Sequence, residues 1–307
     1  MQRTTTRRDL EVRNGDVSLA GSLWLPAKTP LAVVLMHPGS GPGDRHNDVF
    51  FPPIREHLLD AGIAVSSFDK RGVGESTGHW EEAAIGEQAR DALACVAALR
   101  FEVEAPVGVF GHSQGGWVVV EAAGRSRDVA FVVTSSGPGV TPGEQERYAT
   151  RAYMAEAGVP EAELDEVGRY FDHLVSMMRA RTPFEDVGKR IDEEGFPTAF
   201  ARLSLPFLPE SEAEWNLMAA LVDYDPRPAL ERIEVPVLAI FGADDPIVPV
   251  RESVAVYREA VRPTLLAVEI FAGGNHRLQT GDPTALVDGY LETVSGFVQR
   301  AVALHAQ

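Results

Sequence analysis

Short, largely apolar runs alternate with longer amphipathic stretches along most of the chain. The runs are LAVVLMH (31–37), IAVSSF (63–68), VGVFG (107–111), VAFVVTS (129–135), VPVLAIF (235–241) and LLAVEIF (265–271). Segments this short and this uniformly apolar fit strands buried on both faces of a parallel sheet. Between them, PPIREHLLDAG closes at Gly62 like a helix ending on a glycine, and Ile85, Ala89, Ala92, Val96 and Leu99 recur at helical spacing. Ahead of this rhythm, Leu10 to Leu25 reads as two short strands around Asn14-Gly15, a dipeptide that accepts the positive φ angles of a tight hairpin turn. The pattern predicts an α/β protein with a mostly parallel central sheet and an antiparallel N-terminal hairpin.

The rhythm fails between about Thr141 and Asp225. Acidic helical segments there carry Met154, Leu164, Tyr170, Phe171, Met177 and Met178, and no strand pattern stands out. GPGVTPG and DYDPRP, both rich in turn formers, bound the region. The expected division is a core of residues 1–140 and 226–307 with a helical cap, 141–225, inserted over the sheet.

One segment changes the picture from fold to chemistry. VGVFGHSQGGWVVVEAAG places a G-x-S-x-G match, GHSQG, after an apolar strand and before a helical run, the context in which a nucleophile elbow projects its serine. Ser113 is therefore the candidate nucleophile. A hydroxyl needs a base to take its proton, and that base needs an acid to hold its tautomer. The acid should precede the histidine in chain order. After VPVLAIF comes GADDPIVP, and after LLAVEIF comes AGGNHRLQ, so both candidates fall just past strand C-termini. His276 is the expected base. Asp244 and Asp245 compete for the acid, with Asp245 preferred. His37 and His112 lie beside this site and are expected to pack or hydrogen-bond there. The oxyanion of acyl transfer needs fixed N–H donors. Gln114, directly after the nucleophile, supplies one, and Ser40 in the glycine-rich HPGSGPGDR is expected to supply the other. That loop has no GxxxxGK[ST] match and does not read as a phosphate cradle.

Composition narrows the partners. In 307 residues, 45% are hydrophobic, enough to bury a substantial core, and the net charge of −17 argues against nucleic acid. Cys95 is the only cysteine, so no intramolecular disulfide is possible, and its apolar helical neighbours suit a buried structural residue. No apolar run approaches the roughly 18 residues of a membrane span, and the N-terminus shows no apolar signal segment. A soluble, cytoplasmic protein without a membrane partner is expected. No HExxH or CxxC spacing appears, and neither a metal nor another cofactor is expected. The partner expected is a small-molecule ester substrate, and self-association into a homo-oligomer is compatible with the sequence.

GSGPGDRHND (39–48), DKRGVGESTG (69–78), GHSQGG (111–116), DDPIVP (244–249) and NHRLQ (275–279) together resemble the α/β-hydrolase superfamily. Within it the resemblance is to EstD-like bacterial carboxylesterases and the dienelactone-hydrolase and serine-aminopeptidase-like group, and it spans nearly the whole chain outside the insertion. It implies an α/β-hydrolase fold, puts the acid of a D-x-x-V-P tail on Asp245, and puts the oxyanion donors on Ser40 and Gln114. Two positions depart from the pattern: Pro38 follows His37 where many relatives have glycine, and Gln114 stands where closer relatives often have glutamate. Asp69, Arg71 and Gly72 are expected to hold a loop beneath the site by ion pairing and turn formation. Trp215, Phe207, Met177 and Met178 could line an acyl or alcohol pocket, but a small core of the cap is the preferred reading. The activity implied is ester hydrolysis through an acyl-serine. Alternatives are a lactonase or thioesterase on the same triad, or an amide or peptide hydrolase whose acidic cap (Glu144, Glu146, Glu156, Glu161, Glu163) holds a free amino terminus. A non-catalytic receptor on a hydrolase fold is a further alternative, from a different class. Dehalogenases of this fold carry aspartate where Ser113 stands and are disfavoured.

Overall fold

Valine is the commonest residue of the apolar runs, and β-branched residues favour a pleated surface packed from both sides. The computed structural model describes residues 5–48, 50–195, 209–281 and 285–305. Among these, eight strands form one sheet: β1 (Thr6–Asn14), β2 (Val17–Leu25), β3 (Val33–His37), β4 (Ala64–Phe68), β5 (Val107–His112), β6 (Val132–Ser135), β7 (Val237–Gly242) and β8 (Leu266–Phe271). Their spatial order is β1-β2-β4-β3-β5-β6-β7-β8. The β1–β2 and β2–β4 pairs are antiparallel, and the other neighbours are parallel. This is the α/β-hydrolase fold expected from the sequence.

Alternation along the strands sends successive residues to opposite faces. Val33, Leu35, Val107, Val109 and Val237 join one cluster with α2 (Ile85–Glu102), α3 (Gln114–Arg125), α8 (Arg227–Arg232) and α9 (Val250–Ala260). Val34, Met36, Phe110, Val133 and Leu238 join another with α1 (Phe51–Asp60) and α10 (Tyr290–His305). With both faces covered, the central strands have no polar side, and so their sequences read as unbroken apolar runs. The hairpin is longer than expected. Nine-residue strands pair in register from Thr6–Leu25 to Asn14–Val17, and Gly15, at φ +60°, makes the turn. Most of β1 is exposed, so its outer half carries little apolar signal.

Topology decides where a ligand can enter. From β4 the chain crosses back over β3 to reach β5, so the helices that follow β3 and β5 lie on opposite faces of the sheet. The loops leaving the C-terminal ends of these two neighbours therefore part from each other, and such a switch point is where open α/β sheets bind ligands.

Between β6 and α8 lie the helices α4 (Pro142–Glu156), α5 (Leu164–Arg179), α6 (Phe184–Glu194) and α7 (Glu212–Leu221). A reciprocal capping box between Thr141 and Glu144, with Pro142 in the first turn, starts α4. Buried residues on α5 recur every three or four positions, and they share a separate apolar cluster with Met154, Val187, Ile191 and Trp215. Trp215, Met177 and Met178 thus belong to a core of these helices, while Phe207 lies outside the described residues. Among the described residues no helix is long and apolar enough to cross a membrane. Cys95 is buried in α2, where desolvation and the nearby Asp91 push its thiol well up from its ordinary pKa.

The loops at the sheet's C-terminal edge are tied by buried charge. Asp69 accepts hydrogen bonds from the Arg45 backbone N–H (2.7 Å), from Nε (3.0 Å) and Nη2 (2.6 Å) of Arg45, and from the Glu75 N–H (3.0 Å). Arg71 pairs with Asp91 at 2.7 Å, and Gly72 turns at φ +70°. Burial alone would raise the Asp69 carboxyl, but these hydrogen bonds outweigh it and hold the group below the usual carboxylate range. Arg45→Ala leaves Asp69 buried without its main partner, and the expected loss is about 3 kcal/mol in urea unfolding at neutral pH. Arg7→Ala, which removes the exposed pair with Asp9 and a hydrogen bond to Ser22, is expected to cost about 1 kcal/mol or less. Because the Asp69 pKa is depressed on folding, the stability it contributes is present above the unfolded-state value and is lost only as pH falls through the lowered one.

Candidate active site

Strand β5 ends at His112 and α3 begins at Gln114, so a single residue turns the chain from strand to helix. Ser113 takes φ 53° and ψ −124°, a backbone state that costs a side-chain-bearing residue roughly 1–3 kcal/mol. Neighbouring bonds hold it there: its N–H donates to Ser135 O at 3.0 Å, and its carbonyl accepts from the Gly116 N–H at 2.7 Å. The flanking glycines are a packing requirement. A Cβ on Gly111 would stand 2.1 Å from Gly115 O, and one on Gly115 would stand 2.6 Å from both His37 O and Pro38 O. A serine preceding a helix commonly caps it through its hydroxyl. Ser113 makes no such bond, which leaves its Oγ available.

The expected acid and base meet directly. Asp245, buried in the loop after β7, has Oδ2 2.8 Å from His276 Nδ1 in the loop after β8. Its other oxygen accepts from the N–H groups of Ile247 (2.8 Å) and Val248 (3.0 Å), so the carboxylate cannot swing away. Asp244 is exposed. A carboxylate only accepts, so Nδ1 donates to Asp245 and Nε2 lies outside that bond. Among the described residues no hydrogen bond joins the Ser113 hydroxyl to His276. The two are linked through His112, whose ring lies 5.1 Å from that of His276 and 4.3 Å from that of Phe50. Burial, with His276 alongside, pushes the His112 pKa well down, so the ring is neutral and holds Ser135 O through Nδ1 at 3.1 Å. His37 is likewise neutral, its pKa drawn down to about 3 by burial and then by the charge of Lys70.

Ser40 and Gln114 come to the same place. A Cβ on Gly39 would lie 3.3 Å from Ser113 Cβ, so the turn that follows β3 rests against the serine. Gly41 allows that turn at φ +79°. Gln114 opens α3, and the first N–H groups of a helix have no partner within it. The sequence reading passed over Lys70. Its Nζ donates to Gly39 O, to Gly41 O at 3.1 Å and, at a longer 3.4 Å, to Gln114 Oε1. Burial pulls its pKa down to about 7. Its position directly after the apolar run IAVSSF-D was the available signal.

A cavity of about 340 Å³ opens above these donors. Ser40, Gly41, Gln114 and Trp117 form its floor, and Glu146, Tyr170, Phe171, Leu174, Met178 and Met218 from the inserted helices form its walls. Met178 therefore serves both the helical core and the cavity. Glu146 is half-buried; desolvation raises its carboxyl pKa, and the Gln145 amide at 3.0 Å and the nearby His276 partly offset this.

Residues 33–288 match a model described as "Alpha/beta hydrolase family", and the chain belongs to that family. Among solved structures it is similar to the esterase Pf2001 of Pyrococcus furiosus, at 19% identity over 97% of this chain and 92% of that one, TM-score 0.64. It is similar to a proline iminopeptidase of Mycobacterium smegmatis, at 19% over 98% and 100%, TM-score 0.61. Est1E of Butyrivibrio proteoclasticus, solved with ferulic acid bound, matches at 18% over 97% and 100%, TM-score 0.58. At these identities the likeness concerns the fold.

The strain at Ser113 gives a measurable expectation. Ser113→Gly relieves the positive φ, whereas Ser113→Ala keeps it, so the glycine variant is expected to be about 1 kcal/mol more stable than the alanine variant in thermal unfolding.

Proposed function

We propose that this protein is a serine hydrolase that cleaves carboxylic esters of small or medium-sized substrates through an acyl-serine intermediate. The observation that carries this reading is the fixed Asp245–His276 pair, set beside a strained serine whose hydroxyl caps nothing. In the proposed reaction His276 Nε2 takes the Ser113 proton as Oγ attacks the ester carbonyl. The carbonyl oxygen becomes an oxyanion and receives the N–H groups of Ser40 and Gln114. Collapse of the tetrahedral intermediate expels the alcohol, which takes the proton from His276. Water, deprotonated in turn by His276, attacks the acyl-serine and releases the acid. Asp245 holds the imidazole tautomer and stabilises the imidazolium formed in each half.

We read residues 141–225 as a cap whose helices shape the substrate cavity. Its volume and mainly apolar walls suit an acyl or alcohol group of modest size. A second reading has its own observation: Glu146, inside this cavity, forms no ion pair among the described residues and could receive a substrate ammonium. An aminoacyl ester or amide would then be the better substrate.

A fluorophosphonate probe is expected to label the wild type and not Ser113→Ala. Asp245→Asn should lower turnover of a p-nitrophenyl ester by on the order of 10⁴, the loss seen when a serine-protease triad loses its carboxylate, whereas Asp244→Asn should change it by about tenfold or less. The reverse ranking would reassign the acid. Comparing short-chain p-nitrophenyl esters with aminoacyl p-nitroanilides, in the wild type and Glu146→Gln, separates the two substrate readings. Only under the second does Glu146→Gln raise KM for the aminoacyl compounds and leave the simple esters unaffected.

A further inference from the structure

A buried ammonium normally needs a carboxylate, and Lys70 forms no ion pair among the described residues. The acidic groups around it are engaged elsewhere, Asp69 with Arg45 and Asp91 with Arg71. These two aspartates, Arg71, Gln114 and the neutral His37 line, with Lys70, a cavity of about 50 Å³ behind the turn at Ser40. Lys70 instead holds Gly39 O and Gly41 O, on either side of Ser40.

The Gly39 carbonyl and the Ser40 N–H belong to one peptide group. In a planar trans peptide the two point in opposite directions, and no cis peptide occurs among the described residues. Drawing Gly39 O onto the ammonium therefore turns the Ser40 N–H away from Lys70. It also polarises the peptide, which strengthens that N–H as a donor. Gly41 O pins the far end of the same turn, and Gln114 Oε1 ties it to the residue that bears the second donor.

We propose that Lys70 is a positioning residue of the oxyanion hole, which fixes and polarises the Gly39–Ser40 peptide so that Ser40 can donate to the developing oxyanion. The proposal rests on the acyl-serine reading above. Lys70 touches no substrate in it and acts through the backbone of its neighbours.

The test compares full-length wild type, Lys70→Met and Lys70→Gln. The readouts are kcat and KM on p-nitrophenyl acetate and inhibition by an aryl boronic acid, whose tetrahedral serine adduct places an oxygen in the oxyanion hole. Loss of Lys70 is expected to lower kcat by on the order of 10- to 100-fold, with boronate affinity falling in step and KM changing by less than about threefold. Burial brings the Lys70 pKa down to about 7. Wild-type kcat should therefore decline as pH rises through that region and the ammonium loses its charge, a limb absent from Lys70→Met. A folded Lys70→Met with unchanged kcat and boronate affinity would overturn the proposal, as would an alkaline limb that persists in it. If Lys70→Met does not fold, Lys70→Gln, which keeps N–H donors without charge, decides by the same comparisons. A wild type that no fluorophosphonate labels would instead refute the serine-hydrolase reading, which separates that failure from this one.

Discussion

The first turn of α3 lies in backbone contact with the chain leaving β3 and β6, and the geometry of the candidate site follows from that contact. Gly115 leaves no room for even a methyl group against the carbonyls of His37 and Pro38, and Gly116 is as close to Gly137. Farther along, Gly124 meets the backbone of α8 in the same way. A helix held this near to a strand end must start abruptly, and Ser113 takes up the whole change of direction in one residue. The same contact sets the start of α3 beside the crevice where the loops after β3 and β5 separate. Ser113, the helix terminus and the glycine-rich turn thus share one backbone arrangement that a single added Cβ would push apart.

Much of this was legible in the sequence because it depends on local pattern. Strands buried on both faces give unbroken apolar runs, and GHSQG between a strand and a helix marks its own turn. Asp245 was preferred over Asp244 from the Val-Pro tail that the resemblance puts on it; in the structure the N–H groups of Ile247 and Val248 hold its carboxylate toward His276. The outer half of β1 was missed because an edge strand facing solvent alternates weakly. Lys70 was missed for another reason. It bonds to carbonyls about thirty residues away in sequence, and backbone carbonyls leave no residue-specific trace. Asp69 was expected to form an ion pair, but nothing in DKRGVGES names Arg45 as its partner.

Two parts of the chain contribute different kinds of physics to the cavity. The sheet edge supplies dipoles and charge that packing holds fixed, and the inserted helices supply mostly apolar surface. Tyr170, Phe171 and Met178 illustrate the second, since each is anchored in the helical cluster and also lines the cavity wall. Shape on that side can therefore change only with repacking of the helices. The floor is built differently, from the Ser40–Gly41 turn, which the buried Lys70 holds from behind, and from the start of α3. Glu146 and Glu214 interrupt the apolar wall, and desolvation raises the Glu146 carboxyl pKa while the nearby His276 works against that rise.

The turn at Ser113 stores strain that contributes nothing to folding. A lineage or a library screened only for survival at high temperature would find gains there, because glycine relaxes the turn. Heat resistance obtained in this way would remove the hydroxyl on which the proposed chemistry depends, without any loss of expression or solubility to signal it. Under the proposed function, a serine in so unfavourable a backbone state exchanges stability for reactivity.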